Sequence, residues 1–434
     1  MRISITLLLV LSCATSLHAA VHHSGELGWT EGQDISETFA TLLKDRTLKL
    51  GDELVLDHTY RISGSHAVPD SVTISAVKGA GFDVTDAVDF KGSRPLLDLG
   101  NGTTLRNLTI TYLNTPPLGP TGEERGVTFT GRVGIQASEK RDIRIENCRL
   151  TGSIGHHLKL SDCIAAKVIG CHVAGGHWTI RVVGGTDMVL RRCLVEKCQG
   201  DAIKTAQSNS GPVRRALVEE CVFQDNLRDG IDLTGGFNDS VVRNCVFRRM
   251  GVSGMDIKAS YDPRPGGIES QEPENVGILI ENCLFHDMPN SLVVTTIDGG
   301  WRQGEVNAQL NASNMKKYAV HDIDINDCVF GHVEKPLRPS KEGGYGVNYP
   351  SDEGEHMRML HLKDGYAIRY RNARFLGERI RPVYIDSIGG SRHLSKEAAE
   401  AIEPTVTGNV LDEPAPQVKP GITAVPFDCG PQID

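Results

Sequence analysis

The chain has 434 residues, with 46 Lys+Arg against 55 Asp+Glu and a formal net charge of −9. Such an excess of acid excludes a general binder of nucleic acid or of acidic membranes. Any polyanion it handles must meet a local basic patch or a metal ion.

The chain opens with Met1-Arg2, an apolar run from Ile3 to Leu11 and small residues from Ala14 to Ala20. This pattern predicts a secretory signal peptide over 1–20, cut near Ala19 or Ala20, and a secreted or periplasmic protein. The run is too short to span a bilayer. Val10-Leu11-Ser12-Cys13 offers a rival reading, lipid anchoring at Cys13, although the apolar core before Cys13 would be short. Residues 34–45 carry the spacing of a short amphipathic helix that Asp34 or Ser36 could cap and that would close one end of the fold. Strand-like segments follow at 53–56, 60–62, 72–74, 96–99 and 105–111.

From residue 134 to 330 one short phrase recurs. It is Ile145-Glu146-Asn147-Cys148-Arg149-Leu150, then Ile169-Gly170-Cys171-His172-Val173, and it returns at Cys193, Cys221, Cys245, Cys283 and Cys328. The intervals are 23, 22, 28, 24, 38 and 45 residues. A period in the low twenties, with alternating apolar residues and no room for a helix, predicts a solenoid of stacked coils. The seven repeated cysteines then stack as small apolar side chains with free thiols rather than forming disulfides. Cys163, Cys198 and Cys429 fall outside the ladder. Insertions at 261–276, 299–318 and 336–356 read as functional loops. The expected organisation is a leader over 1–20, one solenoid domain over 21–402 and an irregular Pro-rich tail over 403–434.

Between the cysteine phrases runs a second strand. Its inward residues are Leu158, Ile180, Ile203, Ile231, Met255 and Leu292. Alternation turns the next residue of each outward, giving the column Lys159, Arg181, Lys204, Asp232, Asp256, Val293 with neighbours about 4.8 Å apart. Coils of this length, a capping helix and a buried Cys/Asn-type ladder resemble the right-handed parallel β-helix of the pectate lyase superfamily, over about residues 34–385. The resemblance implies an all-β, right-handed parallel β-helix. That superfamily also contains hydrolases, epimerases and surface proteins without known chemistry, so fold alone does not fix activity.

Asp201 precedes Lys204 by three residues, and Asp229 precedes Asp232 by three. Aligned coils would crowd Asp201, Asp229, Asp232 and Asp256 on one face. Such crowding is relieved by a proton or a cation, and oxygen ligands favour Ca2+. The rival reading is that Gly200-Asp201 and Asp229-Gly230 serve only as turns. Lys258, two residues after Asp256, and Lys204, in the column beside Asp232, are the candidate bases, Lys258 first. A salt bridge to Asp256 or Asp232 is the alternative role for Lys258.

Arg228-Asp229-Gly230-Ile231-Asp232 resembles the Asp-Asp-Gly-x-Asp calcium segment of family 9 polysaccharide lyases, and Gly200-Asp201-Ala202-Ile203-Lys204 resembles their upstream Asp followed by Ala-Ile-Lys. Lys258 falls where their catalytic lysine is expected. Two departures stand out: Arg228 replaces the first acid of the segment, and the upstream Asp lies one residue closer to its lysine. Arg228 would then weaken calcium binding or hold a substrate carboxylate.

The resulting expectation is a monomeric, calcium-dependent lyase that cleaves a uronate polysaccharide by β-elimination. Arg181, Arg228, Arg264, Trp301 and Arg302 would contact substrate, through charge and aromatic stacking. His156, His157 and His177-Trp178 could also touch sugar, or could be incidental to the strand surface. A glycoside hydrolase, a uronate epimerase and a non-catalytic carbohydrate-binding protein are the alternatives.

Overall fold

A computed structural model describes residues 19–45, 47–87, 94–116, 118, 130–234, 236–258, 275–295, 320–331, 357–362, 366–376 and 380–385. Residues 1–18 of the leader, all three insertions except 275–276, and the tail with Cys429 lie outside the described residues, as do Arg264, Trp301 and Arg302. Apart from one helix, all the regular structure of the described residues is strand. Three long parallel sheets, of 12, 11 and 11 strands, run the length of the molecule, and each strand pairs with its counterpart one coil away. The architecture is a right-handed parallel β-helix.

One coil shows how the sequence makes the turn. Arg144–Glu146 lies in the first sheet, Arg149–Thr151 in the second and Ile154–Ser161 in the third. Asn147 bends the chain between the first two with a left-handed backbone, φ 53°. The same conformation recurs at Asn107, Gly170, Arg192, Glu220, Asn244, Asn282, Asp327 and Asn372. This bend also corrects one sequence expectation: 105–111 is two strands, Thr104–Arg106 and Thr109–Tyr112, because Asn107 (φ 60°) turns the corner between them.

The residue after each bend points inward. Cys148, Cys171, Cys193, Cys221, Cys245, Cys283 and Cys328 are all buried with free thiols, as the repeat predicts. Each thiol also caps a carbonyl of the preceding coil, as in Cys193 Sγ to Val168 O at 3.6 Å. Cys163 and Cys198 are buried free thiols as well, and burial pushes Cys198 up to about 12. Beside the cysteines, Phe223, Phe247, Phe285 and Phe330 stack face to face, with centroids 4.9, 4.7 and 5.4 Å apart. In-register side chains from successive coils thus form the continuous core that no single coil could bury.

The helix is Ser36–Lys44. Asp34 accepts hydrogen bonds from the Ser36 backbone N–H (3.0 Å) and hydroxyl (2.6 Å). Its Phe39, Leu42 and Leu43 are buried, and Phe39 packs on Phe82 and His66 at the first coils. No helix among the described residues is long and apolar enough to cross a membrane.

Candidate active site

The site lies on the third sheet, across strands Ile154–Ser161, Trp178–Val183, Asp201–Ala206, Ile231–Thr234 and Ser253–Lys258. Pairing follows the expected register. Lys159, Arg181, Lys204, Asp232, Asp256 and Val293 are successive partners in one column. A second column runs three residues earlier, where Trp178 pairs with Asp201 and the Ala202 N–H donates to Asp229 O on the next coil. Close coil approach here requires glycine. A Cβ on Gly230 would sit 2.6 Å from the Gly254 carbonyl and 2.7 Å from the Phe247 ring.

These columns bring Asp201, Asp229 and Asp232 together, fully buried, each offering an oxygen within 4.8 Å of the others. Asp256 is not part of that group: it is half-buried and pairs with Lys258 at 2.8 Å. Lys258 Nζ also lies 3.2 Å from Asp232. Lys204 hydrogen-bonds Asp232 and Thr234 Oγ1 (3.1 Å) and stands 3.6 Å from Asp201. Arg228 reaches Asp201 at 3.6 Å and Asp229 at 3.9 Å. It therefore braces the acids from the side, and their charges raise its already high pKa, Asp201 most.

The three acids sit in unlike surroundings. Asp201 accepts no hydrogen bond at either oxygen. Burial first, and the neighbouring Asp232 second, push its pKa up to about 6. Asp229 accepts from Ser253 Oγ at 2.6 Å through one oxygen only, and burial together with the charge of Asp201 drives its carboxyl well above the usual range. For Asp232 burial opposes ionisation, but Lys258 and Lys204 overcome it and hold the carboxyl well below its ordinary value. Three buried carboxylates, one without a hydrogen bond, suit a hard cation with oxygen ligands. The chemistry of the donor set therefore fits Ca2+.

Toward the N-terminal coils the surface changes character. Trp178 stacks with His156 at 5.7 Å and His177 at 5.0 Å. The Arg181 guanidinium lies 4.9 Å, and the Lys204 ammonium 5.4 Å, from the Trp178 ring centre. His156 Nδ1 donates to Trp178 O at 2.9 Å, which leaves Nε2 as the acceptor. Burial lowers both His156 and His177 to about 4. His157 points inward, donates from Nε2 to Gly152 O at 2.8 Å and is structural. Trp178 was visible in the sequence as part of His177-Trp178, but only its register with Asp201 reveals that it adjoins the acids. The insertions at 261–276 and 299–318 follow strands of the site sheet that end at Lys258 and Thr295. The insertion at 336–356 does not: it follows Val329–Gly331 of the second sheet and leads into Met357–Leu362, so it joins the site sheet at the opposite edge.

Comparison with known proteins agrees with this geometry at the level of fold. The sequence matches no curated protein significantly. Among solved structures, polygalacturonase from Erwinia carotovora ssp. carotovora superposes with a TM-score of 0.55 at 10% identity, covering 82% of this chain and 96% of that one. PfbA, a surface adhesin of Streptococcus pneumoniae, gives 0.56 at 10% identity, covering 84% and 91%. The catalytic unit of a GH87 alpha-1,3-glucanase from Streptomyces thermodiastaticus strain HF3-3 gives 0.52 at 11% identity, covering 86% and 67%. Residues 96–262, which carry every described acid and base of the site, match the family model described as a right handed beta helix region.

Proposed function

We propose that the protein is a carbohydrate-active enzyme that cleaves an acidic, uronate-containing polysaccharide by β-elimination, with calcium as cofactor. The observation that carries this reading is Asp201: fully buried, without a hydrogen bond, and clustered with Asp229 and Asp232 beside Lys258. The likeness of Arg228–Asp232 and Gly200–Lys204 to family 9 polysaccharide lyases supports the same assignment. Asp201, Asp229 and Asp232 would hold the cation, with Asp256 beside them. When bound, the cation would neutralise the uronate carboxylate and take up the charge of Asp232 that otherwise pairs with Lys258.

Lys258 Nζ, after giving its own proton to water, then accepts the proton alpha to the uronate carboxylate. The electron pair of that C–H bond forms the new C=C bond as the glycosidic C–O bond breaks, and the departing oxygen takes up a proton. Lys204, pinned between Asp232, Thr234 and the Trp178 ring, is the second candidate base and holds Asp232 in place. Arg228 fixes Asp201 and Asp229 and stands where Arg substitutes for an acid of the lyase motif.

The test is ultraviolet absorbance of unsaturated uronate ends, with residues 21–434 acting on a panel of polyuronates with calcium and with chelator. Calcium-dependent absorbance is expected, and Lys258→Ala should lower its rate by about 10²–10⁴-fold, the usual worth of a general base. Product formation undiminished in Lys258→Ala would remove the lysine from this role.

One observation favours a second reading, glycoside hydrolysis. Asp201 has no hydrogen bond while Asp232 is clamped by two lysines, the kind of contrast that separates a protonated acid from an ionised base. That enzyme would release reducing ends in chelator and give products without a double bond.

A further inference from the structure

The site sheet carries two kinds of surface in one continuous pair of columns. The C-terminal half is acidic, with Asp201, Asp229, Asp232 and Asp256. The N-terminal half is cationic and aromatic, with Lys159, Arg181 and Lys204 in one column and Trp178 in the other. On the other two sheets some exposed cations, such as Arg61 and Arg144, also lack a carboxylate partner among the described residues, but several have one: Arg106 with Glu53, Arg191 and Arg243 with Glu219, Arg369 with Asp324. Lys159 and Arg181 do not. Among the described residues no carboxylate lies within ion-pair distance of either, and Arg181 Nε is buried with no acceptor. The buried Arg181 Nε–H lacks an acceptor and Lys159 stands beside it as a like charge, so an anionic ligand would satisfy both.

The local packing holds them ready. Arg181 rests on the Trp178 ring at 4.9 Å, so part of its rotamer entropy is already lost before any ligand arrives. Burial and the neighbouring cations keep His156 neutral, so it adds no competing charge. The Trp178 Nε1–H is a further buried donor without an acceptor.

We propose that Arg181 and Lys159, with Trp178 as the residue that positions Arg181, form an anion subsite for a carboxylate-bearing sugar unit of the substrate, on the N-terminal side of the acid cluster. The substrate chain would then cross the strands from Lys204 toward Lys159, a span of about 10 Å. Arg181 would grip the carboxylate through its guanidinium fork, and Lys159 would add a point charge. This subsite rests on the acidic-polysaccharide reading above, and it gives the bound chain a direction along the solenoid.

The experiment is isothermal titration calorimetry in a Lys258→Ala background, with polygalacturonate, alginate and carboxyl-reduced polygalacturonate as ligands. Lyase assays with Lys258 intact run alongside. At least one polyuronate should bind and the carboxyl-reduced polymer should not. Arg181→Gln and Lys159→Gln should each weaken binding by about 10-fold or more, as expected for loss of a charged hydrogen bond, and should flatten its salt dependence. Arg181→Lys should recover part of the loss, which excludes misfolding as its cause. Binding unchanged in both Gln variants would overturn the subsite, even if unsaturated ends form and the lyase reading stands. Weakened binding in a protein that forms no unsaturated ends from the same polymer would support the subsite and sink the lyase. Equal binding of the carboxyl-reduced polymer, or no binding of either polyuronate, would overturn the subsite.

Discussion

Asp201 is the residue whose surroundings fit folding least well. A buried carboxyl with no hydrogen bond costs stability when ionised, and the neighbouring Lys204 and Arg228 at 3.6 Å offset only part of that cost. Its pKa is raised to about 6 in the folded protein against 3.8 for an ordinary carboxyl. The native state therefore binds the proton more tightly than the unfolded chain. The stability linked to that proton is full at low pH and is lost as pH rises through about 6. Asp201→Asn should thus stabilise the calcium-free protein at pH 7, by on the order of 1–3 kcal/mol, and the gain should disappear below about pH 4. Denaturant unfolding in chelator at the two pH values measures this. The same variant should lose the proposed calcium-dependent activity, which would identify Asp201 as a position where function is kept at the expense of stability. A variant less stable than the parent at pH 7 would show that the ion pairs outweigh burial.

At the scale of the element, the coil corner explains both what the sequence revealed and what it hid. The Cys phrase, the period and the inward Leu, Ile and Met residues were legible because packing repeats them on every coil. The column from Lys159 to Val293 followed from alternation alone, and the acid trio from one count of three residues back along each strand. The left-handed corner was legible only where Asn, Asp or Gly occupies it. Arg192 and Glu220 take the same conformation, φ 51° and 55°, where a side chain with a Cβ is strained and lacks the local hydrogen bonding that helps Asn. Glu220→Asn should therefore stabilise the protein by about 0.5–1 kcal/mol, read from the denaturation midpoint at unchanged slope. A destabilised variant would mean that the Glu220 side chain contributes more at the corner than its backbone strain costs. The exclusion of Asp256 from the acid trio was likewise hidden. Strand alternation places Asp256 in the column but does not encode the side-chain rotamers that set carboxylate separations.

The whole molecule is a one-dimensional stack, so its ends and its site are energetically separable. The site sheet ends at His66–Val68, and the helix Ser36–Lys44 covers that end. Phe39 is the anchor, in contact with Trp29, His66 and Phe82 at 6.3, 5.1 and 5.5 Å between ring centres. Phe39→Ala should remove about 3–5 kcal/mol of local stability. Because each coil contacts only its neighbours, the loss should stay near the first coils rather than spread through the stack. Hydrogen exchange should quicken across Glu53–Leu56, Thr59–Ile62 and His66–Val68, while amides of Asp201–Ala206 and Ser253–Lys258 keep their protection and enzymatic rate at low temperature is retained. The uncovered strand edge should in turn promote self-association, visible as a rise in mass by light scattering with protein concentration. Uniform loss of protection from end to end would instead show that the β-helix unfolds as one cooperative unit, with the cap stabilising the distant acid cluster as strongly as the coil it touches.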